Sequence, residues 1–332
     1  FEIVESNFFK EKNDKDLIKY ETMLCNKVKT FAAFPILGNI STFLDKVLPI
    51  KLVCWYVIEH RHKKALAKGI KQMEEYNADV IFSTHWVTNY YASKLKKKPY
   101  RILYCPDCEF CHIFQYDSDL SIIGNSLGYQ KALKHKKRFN HDNLKQSTFL
   151  IRNEAFDIPL DRYQNRINLG LPKDNFTICF MEGGYGIGKM ECLCKYLVKE
   201  NKPITIIAAC GKNDKLYDRF KNLNVNLNVT FVPLPMSDDI LKYIAACDLF
   251  VGKGGNSIAE PTFFGHASIV STLSTGIEKK IASFYANVVG SAIICQNPRK
   301  ILKLIHQFIE NPSLLEKYEH NALLDHDRYG TE

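Results

Sequence analysis

The stretch Leu249-Phe-Val-Gly-Lys-Gly-Gly-Asn-Ser-Ile-Ala-Glu260 reads as a buried strand that breaks at paired glycines and turns straight into a helix. Gly254 and Gly255 remove side chains where the backbone must bend, and Asn256 or Ser257 is suited to cap the new helix. Such a helix start offers unpaired amide N–H groups at the positive end of the helix dipole, which is where a diphosphate fits. Glu260 follows Asn256 by four residues and returns to the same face one turn on, placing a carboxylate for two ribose hydroxyls. An ordinary strand-to-helix turn with a solvated Glu accounts for this segment alone equally well.

Around it the pattern is regular. Strands are predicted over 176–181, 204–209, 229–232, 249–251, 268–272 and 292–295, with helices between them and a last helix over 298–309. Six strands separated by crossovers predict a parallel, doubly wound sheet. The first of these strands runs into Glu182-Gly-Gly-Tyr-Gly-Ile-Gly188-Lys189. Four glycines in six residues let a chain approach a ligand closely, as phosphate loops require. The spacing is neither that of a Walker loop nor that of a dinucleotide fingerprint, because no acidic residue ends the next strand and Cys210-Gly211-Lys212 stands there instead. Both glycine clusters fall in one domain, so both are expected to converge on one nucleotide.

The first half alternates strands and helices less clearly. Strands are predicted over 1–5, 78–83 and 100–105 and a helix over 51–76, while 17–48 is an apolar region interrupted by Pro35 and Gly38. Phe1 already lies within a strand pattern, so the first domain is expected to be incomplete at its start and to lack an amino-terminal strand. Polar groups just past the carboxyl ends of parallel strands bind ligands in open α/β sheets, which singles out His85 and Asp107. A histidine satisfied by neighbouring backbone is the competing reading of His85. Cys105-Pro-Asp-Cys108-Glu-Phe-Cys111-His112 has metal-like spacing, but no second ligand pair follows at the spacing of a structural zinc site. From 147 to 171 the pattern loosens, with a short strand over 149–151, and a linker is expected there. The domains are therefore taken as 1–152 and 153–332.

At 332 residues, 46% hydrophobic and 24% charged, the chain is globular and suits two domains. Its formal net charge is +9, with basic clusters over 61–64, 94–98 and 134–138 that suggest an anionic membrane surface or nucleic acid, or simply solvated faces. No RNP, helix-turn-helix or knuckle motif accompanies them. Eleven cysteines, an odd number lying mostly within predicted elements, argue against a disulfide framework and for a reducing, cytoplasmic setting. No apolar run reaches the ~18 residues of a membrane span, so a soluble or peripheral membrane protein is expected.

The motifs then carry a resemblance. Gly183-Gly-Tyr-Gly-Ile-Gly188-Lys189 with Glu191, Ala209-Cys-Gly-Lys-Asn213, Phe231-Val-Pro-Leu-Pro235, Gly252 to Glu260 and Gly276-Ile-Glu-Lys279 occur in the order found in the monogalactosyldiacylglycerol synthase and processive diacylglycerol glucosyltransferase family. The chain resembles the donor half of these lipid glycosyltransferases, and is similar also to the enzyme that adds N-acetylglucosamine to lipid I. The first half is similar through Asp79-Val-Ile-Phe-Ser-Thr-His85, which looks like the family's "PDVIISTHP", and through Tyr104-Cys-Pro-Asp107 with His112, a reading that leaves Cys105 to His112 without a metal.

The resemblance implies a GT-B fold, two Rossmann-like doubly wound domains facing a cleft. It also implies transfer of a hexose from UDP-glucose or UDP-galactose to a diacylglycerol-type lipid, with no cofactor beyond the donor substrate. It assigns Gly254, Gly255, Asn256 and Ser257 to the donor diphosphate, Glu260 to the ribose, and the loop holding Gly183, Gly184, Gly186 and Gly188 to the cleft. Cys210, Gly211, Phe231 and Val232 flank the uracil. Gly276-Ile277-Glu278 stands where the family has Gly-Gln-Glu, and Ile281 where it has Asn, which removes two amides expected at the donor sugar and leaves Glu278. His85 and Asp107 are the candidates for the catalytic base, and no metal is assigned. A degenerate nucleotide-sugar-binding protein and a UDP-sugar epimerase are the alternatives.

Overall fold

In a computed structural model the described residues are 3, 8–10, 12–47, 55–107, 118–134 and 142–324. The expected strand over 1–5, Cys108, Cys111 and His112, and most of the basic cluster over 134–138 lie outside them. The chain divides into two compact units, Phe1–Thr148 and Phe149–Glu332.

The second unit holds a six-stranded parallel sheet made of β5 (Phe176–Met181), β6 (Ile204–Gly211), β7 (Val229–Pro235), β8 (Leu249–Lys253), β9 (Ala267–Thr272) and β10 (Ala292–Ile294). Across the sheet the order is β7-β6-β5-β8-β9-β10, so the winding reverses between β5 and β8. Strands buried on both faces have to be apolar throughout, and every residue of Ile204-Thr-Ile-Ile-Ala-Ala-Cys210 is buried. Helices 190–197 and 298–310 cover one face through Leu193, Leu197, Ile301 and Ile305, which join Ile178, Phe180, Ile206 and Val251 in one core.

The expected linker is partly built structure. Asp161 caps a helix over Arg162–Asn168, accepting from the N–H groups of Tyr163 and Gln164. That helix sends Arg166, 1% exposed, beneath the sheet. Its guanidinium pairs with Asp248 at 2.6 Å and donates to the carbonyls of Ala246 and Lys173. Asp248 in turn accepts from the Thr177 N–H at 2.7 Å, which ties the start of β8 to β5. Over 149–151 there is only an isolated bridge, because neighbouring strands supply no ladder there.

The first unit has a four-stranded parallel sheet, β1 (Val80–Ser83), β2 (Tyr100–Cys105), β3 (Leu120–Ile123) and β4 (Leu144–Gln146), in sequential order. The apolar region over 17–48 is a pair of helices, α1 (Lys15–Ala33) and α2 (Pro35–Val47), with Pro35 at the first position of α2, where its missing N–H costs nothing. The helix expected over 51–76 is not continuous. Val57–Arg61 is wound as a π turn, and after a break at His62 the helix resumes over Lys63–Tyr76. Leu17 and Tyr20 of α1 pack with Ile58, Ala65, Met73, Val87 and Tyr91 to form this unit's core.

Candidate functional site

Ligands in open α/β sheets bind outside the carboxyl ends of the strands where the winding reverses. In the second unit that place is the gap between β5 and β8, whose ends are level through the pairing of Met181 with Gly252. The two glycine clusters are the continuations of these two strands, so the topology brings them together as expected.

On the β8 side the chain turns at Gly254 and Gly255 into helical residues 256–263. The cap differs from the sequence reading. Gly255 is the N-cap residue, no side chain caps this end, and Asn256 and Ser257 form the first turn. The two glycines serve different ends. A methyl group on Gly254 would run into Leu273, whereas one on Gly255 would meet nothing within 4 Å. Gly254 is required by packing, and Gly255 keeps the approach to the helix start open.

Glu260 lies on the second turn, with its side chain 19% exposed and one carboxylate oxygen held by Arg152 Nη2 at 2.9 Å. Burial pushes its carboxyl above the usual range, and Arg152 opposes that shift. Lys253 Nζ, at the end of β8, lies 2.7 Å from Glu278 Oε1, and both side chains are 14% exposed. Its stem passes near Gly183, so this cation is at the reversal point itself. Glu278 also accepts from the Ser274 N–H, while its own N–H is capped by Thr275 Oγ1. Those bonds fix Glu278 as a helix-start and ion-pair residue. Ile281 is 3% exposed, so the residue standing where the family carries Asn belongs to the core.

On the β5 side the glycine loop is folded down onto the end of β6. Gly186 and Gly211 have φ of +58° and +59°, conformations that strain any side chain. Gly184 O accepts from the Lys212 N–H at 2.9 Å, and Asn213 Nδ2 donates to Tyr185 O. Cys210 is fully buried beneath this loop, its carbonyl under Gly186 and its thiol pushed up to about 11 by burial. It supports the loop from below. Gly184, like Gly255, has nothing within 4 Å of its would-be methyl.

Phe231 and Val232 lie earlier in β7 than its carboxyl end. β7 continues to Pro235, and Phe231 pairs with Ile206 in mid-strand, about 13 Å short of the strand end at ~3.3 Å per residue. The strand expected over 229–232 runs on through Pro233 and Pro235, because β7 is an edge strand, where a missing N–H is tolerated. The residues at the carboxyl edge are Pro235 and Met236, the latter 59% exposed.

Three residues that the sequence gave no reason to single out complete the site: Arg152, Lys253 and Glu182. Glu182 is 2% exposed between β5 and the loop. Its Oε1 accepts from Ser271 Oγ at 2.6 Å, from the Lys189 N–H at 3.1 Å and from Thr272 Oγ1 at 3.3 Å. Its Oε2 has no partner among the described residues, and burial raises its pKa above the usual carboxylate value. A side chain at Gly188 would strike this carboxyl. The internal carboxylate thus takes the amide at the start of helix 190–197, which leaves the helix at 256–263 as the open anion position.

In the first unit the pairing of Ser83 with Leu103 brings His85 and Asp107 to the carboxyl ends of adjacent strands. His85 caps the helix Trp86–Ala92, its Nδ1 accepting from the Val87 N–H at 3.2 Å. Burial lowers its pKa to about 4, so the ring is neutral with its proton on Nε2. The backbone at Asp107 is braced by Asn125 of the next strand end, whose Nδ2 donates to the carbonyls of Pro106 and Asp107.

No protein-family model matches the sequence, and no curated protein matches it. Among solved structures the chain is similar to MurG of Acinetobacter baumannii, with 18% identity and a TM-score of 0.54 over 78% of this chain and 72% of that one. It is similar to HepE of Anabaena in complex with UDP-glucose, with 16% identity and a TM-score of 0.52 over 80% and 77%. It is similar to UDP-GlcNAc 2-epimerase of Neisseria meningitidis bound to UDP-GlcNAc, with 11% identity and a TM-score of 0.58 over 76% and 74%. At these identities the likeness establishes the fold, which is GT-B.

Proposed function

We propose that the protein is a UDP-sugar-dependent glycosyltransferase that moves a hexose from UDP-glucose or UDP-galactose to a diacylglycerol-type lipid at a membrane surface. One observation carries the donor side: at the reversal point of the second sheet, an open helix start at Gly255 is followed one turn on by the Glu260 carboxylate, in the order in which a diphosphate and a ribose would be met. That HepE, of similar fold, binds UDP-glucose supports the choice of donor. The acceptor rests on the family motifs and on charge. Residues 1–148 carry 24 Lys and Arg against 16 Asp and Glu, while residues 149–332 carry 21 against 20.

In this reading the acceptor hydroxyl attacks C1 of the donor sugar and the bond from C1 to the β-phosphate oxygen breaks. The leaving negative charge is met by the amides at 255–257 and by Lys253. Asp107 takes the hydroxyl proton. His85, whose Nδ1 lone pair is already used by Val87, orients the hydroxyl through its Nε2–H.

The test is to incubate the protein with labelled UDP-glucose or UDP-galactose and diacylglycerol vesicles and to chromatograph the lipid. Labelled glycolipid is expected. Free UDP with unchanged lipid, or an epimerised nucleotide sugar, would overturn the reading.

A further inference from the structure

A helix on the surface of a soluble domain turns its apolar stripe inward. α2 does the opposite. Gly38 is buried and Ser41 is half-buried, whereas Ile36, Leu37, Ile40, Phe43 and Leu44 are 74%, 46%, 49%, 64% and 39% exposed. At about 100° per residue these five fall within an arc of roughly 120° whose centre is opposite Gly38. Phe34, 62% exposed at the turn from α1, extends the patch. Contiguous apolar surface of this kind marks a site of association.

Charge and length identify what it meets. α1, against which α2 packs, exposes Lys15, Lys19 and Lys27. Its acidic groups are already engaged, Asp16 with Lys68 at 2.7 Å and Glu21 with Lys10 at 3.2 Å. An apolar stripe on a helix packed against one that exposes cations matches an anionic lipid surface, with acyl chains under the stripe and headgroups at the lysines. At 13 residues α2 is about 20 Å long, short of a bilayer core, and no described helix is long and apolar enough to cross a membrane. Its geometry is that of a helix lying in the interfacial plane. The lysines over 94–98 are less available for this task, since Lys94 pairs with Glu59, Lys97 with Asp79, and Lys98 donates to Ser93 O.

We infer that α2 inserts its Ile36, Leu37, Ile40, Phe43 and Leu44 face into an anionic bilayer and is the element that docks this protein on membranes. The inference deepens the lipid-acceptor reading and rests on it for its purpose. Its test does not use glycosyl transfer, so the two fail separately.

The protein is sedimented with phosphatidylcholine vesicles containing 30% phosphatidylglycerol, at 0.1 and 0.5 M salt, as wild type, as Ile40→Glu/Phe43→Glu and as Lys96→Glu/Lys97→Glu. Both α2 positions are exposed, Ile40 at 49% and Phe43 at 64%, so the melting temperature is expected to hold in the first variant, and circular dichroism checks this. Partitioning is expected to fall tenfold or more in that variant, less than threefold in the lysine variant, and to persist in part at 0.5 M salt. A Phe43→Trp protein is expected to shift its emission to the blue on binding, over the background of Trp55 and Trp86, and to be quenched by brominated acyl chains. Undiminished pelleting of the α2 variant, an unquenched Trp at position 43, or a wild type that ignores vesicles and dimerises through Ile40 and Phe43 would each overturn the inference. Vesicle binding without glycolipid formation would leave it standing and count against the transferase reading.

Discussion

The two units of this chain are both built on parallel sheets, yet they differ in charge and in what they expose. The 149–332 unit is nearly neutral, and its candidate site is assembled at one sheet edge from residues as distant as Arg152 and Glu260. The 1–148 unit is basic, has four sheet strands among its described residues, and turns the apolar side of α2 outward. The lesson is that one polypeptide can separate affinity from delivery. In the proposed reading the nucleotide-binding features lie where packing is tight, and the acceptor and membrane features lie on the unit whose surface is charged and apolar. If that division is right, variants in the two units damage different quantities.

The largest effect is expected from the first unit. Asp107→Asn is expected to lower glycosyl transfer by about a hundredfold to ten-thousandfold, the usual contribution of a positioned base, while leaving UDP affinity unchanged. Turnover assays beside calorimetry decide it, and an equal loss of affinity would break the division. Next is Glu260→Ala in the second unit. Losing one charged hydrogen bond costs about 1.5–3 kcal/mol, so UDP binding is expected to weaken by roughly ten to a hundredfold. Unchanged affinity would remove the ribose role.

A smaller and sharper contrast lies within the site itself. Gly255→Ala has room in the fold and is expected to leave the melting temperature unchanged while weakening UDP about tenfold, because the methyl enters ligand space. Gly254→Ala is expected to destabilise by about 1–3 kcal/mol through its collision with Leu273. Thermal melts and titrations on both proteins would show whether the two adjacent glycines divide between packing and binding. If both changes act only on stability, the open approach at Gly255 has no ligand to serve.

The strands of the second sheet were legible because each is an unbroken apolar run flanked by glycine or polar turns, and the buried state of Ile204 to Cys210 demands such a run. β3 and β4 were not. β4 is three residues long and exposes Lys145 and Gln146, so neither an apolar run nor an alternation is there to detect. The end of β7 was misplaced because proline signals a stop only where both edges of a strand are paired. The turn and helix from Gly254 to Glu260 could be read from local spacing, since they form one continuous stretch of chain. Arg152, Lys253 and Glu182 could not, because each acquires its role from a partner that is distant in the chain, and the buried pair of Arg166 with Asp248 lies within the stretch expected to be linker.

Glu182 gives the gentlest probe of the second unit. Its folded pKa is raised, so the stabilisation linked to its proton is present below about 4.5 and is lost as pH rises through the folded value. Glu182→Gln keeps hydrogen bonding and removes that loss. Its melting temperature minus that of wild type is therefore expected to grow from pH 4.5 to pH 8, and a difference independent of pH would show that the buried carboxyl does not carry the proton.

The separation of the two units is tested most directly by hydrogen exchange, comparing the protein alone with the protein saturated with UDP. Protection is expected over 183–188 and 253–260, with the strand ends near His85 and Asp107 unchanged. Protection centred on residues 84–107 instead, or no protection at any UDP concentration, would contradict the assignment of the nucleotide to the second sheet.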